Sequence, residues 1–117
     1  MTVQEFYETV GGSYADAKSR LMKDERILKY LRMFGRSEDC AAMLTALEEK
    51  RFEDAFRNAH NLKGVSANLS LTPLYQASFE LCEALRHGEP TVDISGMLSD
   101  VKKAYADVTE ALRGLEG

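Results

Sequence analysis

Apolar residues return every three or four positions along most of this chain, the spacing that lines one face of an α-helix. Ile27, Leu28, Leu31 and Phe34 keep that rhythm from Asp24 onward, and Gly35 is expected to close the segment. A second stripe, Cys40, Met43, Leu44 and Leu47, lies in "EDCAAMLTALEEK" with Ser37 ahead of it. Glu38 falls in its first turn, where a carboxylate suits the helix dipole. From Phe52 to about Leu69 the inward positions are Phe52, Ala55, Ala59, Leu62, Ser66 and Leu69. Thr72 and Pro73 then read as an N-cap and first helical residue, with Leu74, Ala77, Leu81 and Leu85 inward and "HGEP" as the terminator. The last segment starts at Thr91 or Asp93 and carries Ile94, Met97, Leu98, Val101, Tyr105, Val108, Leu112 and Leu115 to its end. Ahead of all these, a short helix near Val3 to Val10 is broken by "GGS", and Ser13 can cap "YADAKSRLM".

No strand-length alternation of apolar and polar residues competes with these segments, and the connections are short. The two prolines, Pro73 and Pro90, fall at helix boundaries, where they break nothing. The expected fold is therefore all-α, an antiparallel up-and-down four-helix bundle with short additional N-terminal helices. At 117 residues the chain can bury one core, so residues 1–117 are expected to form a single domain.

Composition narrows the function classes. Hydrophobic residues at 44% and charged residues at 29% argue against disorder. No apolar run approaches the roughly 18 residues of a membrane span. The N-terminus also lacks the basic and apolar pattern of a signal peptide, so a cytoplasmic protein without a membrane partner is expected. A net charge of −4, with no patch mixing Lys or Arg with aromatics, argues against nucleic acid as a partner. Cys40 and Cys82 sit within helical stripes without a CxxC spacing and read as small buried hydrophobes. Zinc held by them with His60 and His87 would need four residues to converge with no ligand pair at metal spacing, so no metal is expected.

One stretch carries chemistry: "FRNAHNLKGVSANL", from Phe56 to Leu69. With Ala59 near the centre of the buried stripe, about 100° per residue puts His60 on the flank of the helix. Lys63 projects about 60° from it on the inner side and Gly64 about 40° on the outer side, with Ala67 two turns on and nearly in line. A lone surface histidine is usually only solvated, and a lone lysine means nothing. A mid-helix glycine is different, because it costs roughly 1 kcal/mol relative to alanine and so asks for a reason. An outward-facing Gly64 has no neighbouring helix to make room for. Neutral imidazole near pH 7 is a nucleophile able to carry a phosphoryl group on nitrogen. A neighbouring ammonium can answer the charge on the phosphoryl oxygens, and a missing side chain lets another protein's active site approach.

These residues, "AHNLKGVSANLS" followed by "LYQASFELCEALRHGE", resemble the histidine-containing phosphotransfer (HPt) family, whose signature is a helix bearing His-x-Leu-Lys-Gly. The match is specific from about Ala55 to Gly88, and elsewhere it is one of pattern and length. The resemblance implies that His60 accepts phosphate, that Lys63 stabilises the phosphoryl group, and that Gly64 is the cleared position; the small Ala67, in line with His60, is expected to extend that clearance for a docking partner. It implies receiver domains of response regulators and a hybrid histidine kinase as partners, with Mg²⁺ and the catalytic carboxylates on the receiver. No cofactor of its own is then expected, and the chain is read as a monomeric phosphocarrier rather than an enzyme. No kinase segment occurs in the sequence, which gives the expectation of a stand-alone relay protein. One departure is Ser70, where the family usually places a glycine that helps end the helix.

Two other readings compete. A helical module could bind a receiver or kinase without accepting phosphate, but such a protein has no need to keep His60, Lys63 and Gly64 together. An enzyme using His60 as general base would want a Ser, Cys or carboxylate partner, and the sequence places none. His87, in "LRHGEP", reads as a cation at a helix C-terminus and not as part of the phosphate site.

Overall fold

A computed structural model describes residues 1–116, and all regular structure among them is helical. The elements are α1 Val3–Val10, α2 Tyr14–Leu21, α3 Asp24–Arg36, α4 Asp39–Glu48, α5 Phe52–Asn68, α6 Thr72–Leu85 and α7 Ser95–Glu116. Short connections fold α4 against α5, α5 against α6 and α6 against α7, giving the up-and-down bundle, while α1 and α3 pack on α7. Ala55, Ala59 and Ser66 form the buried stripe of α5, and such small side chains let α4 and α6 approach closely on either side. One continuous core runs through the helices, including Phe6, Ile27, Leu31, Met43, Leu81 and Val101, each fully shielded from solvent. No helix among the described residues is long and apolar enough to cross a membrane.

Several boundaries differ from expectation, each for a physical reason. Gly35 does not close α3, which runs on to Arg36 with Ser37 as its C-cap. A side chain at 35 would come within 2.7 Å of Leu112 Cδ2, so this glycine serves the approach of α3 to α7. Thr72 is not the N-cap of α6: Leu71 holds that place without a side-chain cap, and Thr72 with Pro73 forms the first turn. Glu38 is the N-cap of α4 rather than part of its first turn, and the Ser37 hydroxyl accepts from the Asp39 amide at 3.2 Å. In α7 the helix begins at Ser95, whose amide donates to Asp93 Oδ1 at 2.9 Å. Ser13 does cap α2, accepting from the Asp16 amide at 3.1 Å.

The end of α5 is unusual in composition and in how it is held. Ser70 takes the left-handed position expected of glycine, with φ of 55°. The Leu71 amide closes back onto Ser66 O at 2.9 Å. The remaining carbonyls are met from outside the bundle. Tyr7, fully buried on α1, donates its hydroxyl to Leu69 O at 2.7 Å, and burial pushes its phenol above the ordinary range so that it stays a donor. Arg20 of α2 donates to Asn68 O at 2.7 Å, to Ala67 O at 3.3 Å and to Ser70 Oγ at 3.1 Å. Ser70 Oγ donates in turn to Asp16 Oδ2 at 2.7 Å, and this bond, with Arg20, holds the Asp16 carboxyl below the usual range. Ser13 donates its amide to Ser70 O at 3.1 Å. Gly12 permits that approach, since a Cβ there would lie 2.5 Å from Ser70 O.

Removing the Tyr7 hydroxyl tests this arrangement, because it strands the buried Leu69 carbonyl. Tyr7→Phe is expected to cost about 1–2 kcal/mol, read as a fall of roughly 3–8 °C in thermal unfolding. An unchanged melting temperature would show that water replaces the hydroxyl.

Candidate functional site

α5 carries the candidate residues on its outer flank. His60 is exposed, Lys63 half-buried, and Gly64 and Ala67 exposed. A Cβ built on Gly64 meets nothing within 4 Å, so no neighbouring side chain or helix accounts for the glycine. Phe56 stands one turn before His60, their ring centroids 6.0 Å apart and the planes inclined at 33°. Ion pairing of Asp54 with Arg51 and Arg57 fixes the first turns of the same helix.

The adjacent helix α6 completes the surroundings. Lys63 lays its ammonium over the Phe79 ring, 5.5 Å from the centroid, in a cation–π contact across the two helices. The Arg86 guanidinium, at the C-cap of α6, lies 5.8 Å from the Phe56 ring and pairs with Glu83. Arg86 first, and Lys63 after it, hold the Glu83 carboxyl below its usual range. Burial pushes the Cys82 thiol up, opposed by the positive charge of Lys63 and Arg86. The histidine's neighbourhood is thus flanked by two cations braced on aromatic rings, a field suited to phosphoryl oxygens.

On its other side Gly64 opens onto a shallow apolar groove of about 290 Å³ between α3 and α5. Tyr30 and Met33 line it from α3, Val65 and Asn68 from α5. Met33 is 48% and Val65 39% exposed, high for large apolar side chains.

The other predicted residues lie elsewhere. Cys40 and Cys82 are buried free thiols, and among the described residues no group of three or more His, Cys, Asp and Glu could hold a metal. His87 is exposed beyond the end of α6 and, among the described residues, donates to no helix carbonyl. That end is closed instead by the Gly88 amide on Leu85 O at 3.1 Å.

Residues 31–114, most of the chain, match the Hpt domain family. The chain belongs to this family. Hpt domains are phosphocarrier modules that interact with receiver domains and kinases, and membership indicates a phosphotransfer role in two-component signalling. No curated protein and no solved structure gives a significant match. The family match starts at Leu31, so α1, α2 and the first half of α3 precede it.

Sequence reasoning missed Phe56, Phe79, Arg86, Met33 and Val65. Phe79 and Met33 could have been found as large apolar residues off the buried stripes of their helices, whereas the position of Arg86 over Phe56 depends on how α6 lies against α5.

The empty space around Gly64 sets the sign of a substitution. Gly64→Ala is expected to stabilise the isolated protein by up to about 1 kcal/mol, since alanine is the better helix former and meets no obstacle. A melting temperature below that of the parent would place an unseen backbone requirement at this position.

Proposed function

We propose that residues 1–117 act as one phosphocarrier unit in which His60 accepts a phosphoryl group from a receiver aspartate and passes it to another. The observation that carries this reading is an exposed His60 on a rigid helix, one turn before a glycine whose outer face is empty. An imidazole nitrogen attacks the phosphorus of the aspartyl phosphate. The N–P bond forms as the acyl-phosphate P–O bond breaks, and the electron pair leaves with the aspartate carboxylate. The receiver supplies the Mg²⁺ for this step. Lys63, already ordered on Phe79, neutralises phosphoryl oxygens on the histidine, and Arg86 adds positive charge from α6. Gly64 and Ala67 leave room for the receiver's active site, and the groove of Tyr30, Met33 and Val65 gives it an apolar seat. A hybrid histidine kinase would feed the relay through its own receiver.

Incubation with a phosphorylated receiver and Mg²⁺ tests the assignment. His60→Gln is expected to keep the helical circular dichroism and take no label, while His87→Gln labels normally; the reverse pattern would move the site. Lys63→Ala should slow transfer or shorten the phosphohistidine lifetime with a stability change of about 0.5 kcal/mol or less. A large loss of stability with normal kinetics would make that lysine structural.

Gly64→Gln separates docking from folding. Its side chain suits a helix but fills the approach to His60, so transfer is expected to fall at least about tenfold, equivalent to ~1.4 kcal/mol, with the fold intact. Unimpaired transfer in this variant would remove the clearance role of Gly64.

A further inference from the structure

Phe79, Glu83 and Arg86 share one exposed face of α6 and its C-cap, since steps of four and three residues at about 100° each bring them within roughly 60° of one another. Two contacts join this face to the flank of α5 that carries His60. Lys63 reaches across to Phe79, 5.5 Å from the ring centroid, and Arg86 reaches back to within 5.8 Å of Phe56, the ring that neighbours His60. Glu83 stands between these two contacts along α6.

Glu83 is the carboxylate that answers the cations around the histidine. Its Oε1 accepts from Arg86 Nη2 and its Oε2 from Arg86 Nε at 3.4 Å, while Nη1 makes no hydrogen bond among the described residues. Arg86 alone bonds it directly; Lys63 and His87 act on it through charge, and together they hold its carboxyl below the usual range. The thiol of Cys82, one residue earlier, is pushed up by burial and then feels the same set, with Lys63 and Arg86 opposing the rise and Glu83 adding to it.

Phosphorylation adds about 1.5–2 negative charges and three acceptor oxygens. Lys63 and Arg86 together match that charge, but a carboxylate within the same set already takes up part of it and repels a second anion. The Glu83–Arg86 pair is exposed, so it is weak and open to exchange. Phe56 keeps the guanidinium beside the histidine whichever anion it faces.

Resting on the reading of His60 as the phosphoryl acceptor, we propose that Glu83 is the exchange partner that sets how tightly this site holds its phosphoryl group. Arg86 lies on Glu83 while His60 is free, and turns its open Nη1 edge to the phosphoryl oxygens once the N–P bond has formed. Glu83 takes the guanidinium back as the group leaves for a receiver, which keeps the phosphohistidine labile enough to pass on. The carboxylate touches no reacting atom and acts through Arg86, as a positioning residue.

The full chain, labelled from a phosphorylated receiver with Mg²⁺, gives two readouts: the half-life of the phosphohistidine after the receiver is removed, and the share of phosphoryl on His60 at equilibrium with the receiver. Glu83→Gln keeps an acceptor for Arg86 but removes the charge. It is expected to raise both by at least about twofold, the scale of one exposed charge contact, with the gain narrowing as salt rises. Glu110→Gln, which removes the same charge from α7, should change neither. In an Arg86→Ala background the gain from Glu83→Gln should largely vanish, because the group it acts through is gone. An unchanged or shorter half-life in Glu83→Gln, or an equal gain with and without Arg86, would overturn the proposal. A parent chain that takes no label overturns the phosphocarrier reading itself, whereas a labelled parent indifferent to Glu83→Gln overturns this inference alone.

Discussion

An α-helix leaves its last carbonyls without partners, and α5 ends at Leu69 and Ser70, both buried. That constraint organises the molecule. A glycine would let the chain turn there, but it would leave the carbonyls to be met by something else. Ser70 adopts the same left-handed turn at some backbone cost and adds a hydroxyl that both accepts from Arg20 and donates to Asp16. Tyr7, Ser13 and Arg20 supply the other donors. The two short N-terminal helices are therefore the far half of a hydrogen-bond network whose near half is the helix bearing His60.

Fixing both flanks of α5 gives the exposed surface its definition. The helix is packed between α4 and α6 over small side chains, so its outer residues stand on a rigid base. Long cationic side chains are normally mobile in solvent, and gripping an anion would cost up to about 2 kcal/mol of rotamer freedom. Lys63 and Arg86 rest on Phe79 and Phe56, so part of that ordering accompanies folding. The histidine itself is left open, with a glycine on one side and an apolar groove beyond it. Strong electrostatics and easy access usually conflict; here the cations sit on the α6 side and the opening on the α3 side.

The bundle and the placement of His60, Lys63 and Gly64 on the flank of α5 were legible because a period of 3.6 residues is a local property of sequence. Ala59 in the stripe determines where its neighbours point, whatever the partner helix may be. What failed depended on contacts between distant segments. Gly35 looked like a terminator because glycine usually is one, and only the arrival of Leu112 from α7 reveals its use. Thr72 looked like a cap because its hydroxyl could serve, but the chain turns one residue earlier, at Leu71, which is buried in the core. Ser70 registered as a departure from the family, yet its compensation lies more than 40 residues earlier, on α2. The aromatic supports of the two cations also belong to pairs of helices rather than to either one.

The long-range hydrogen bonds at the end of α5 originate at residues 7 to 20, whereas the stretch shared with the family begins at residue 31. The family match and the hydrogen-bond network therefore draw different borders on this chain. A segment transplanted along the family border would take His60 with it but leave behind every side chain that satisfies the end of its helix. It would also expose the face of α7 that α1 covers. The shortest stretch that keeps the end of the His60 helix satisfied is longer than the stretch that the family match recognises.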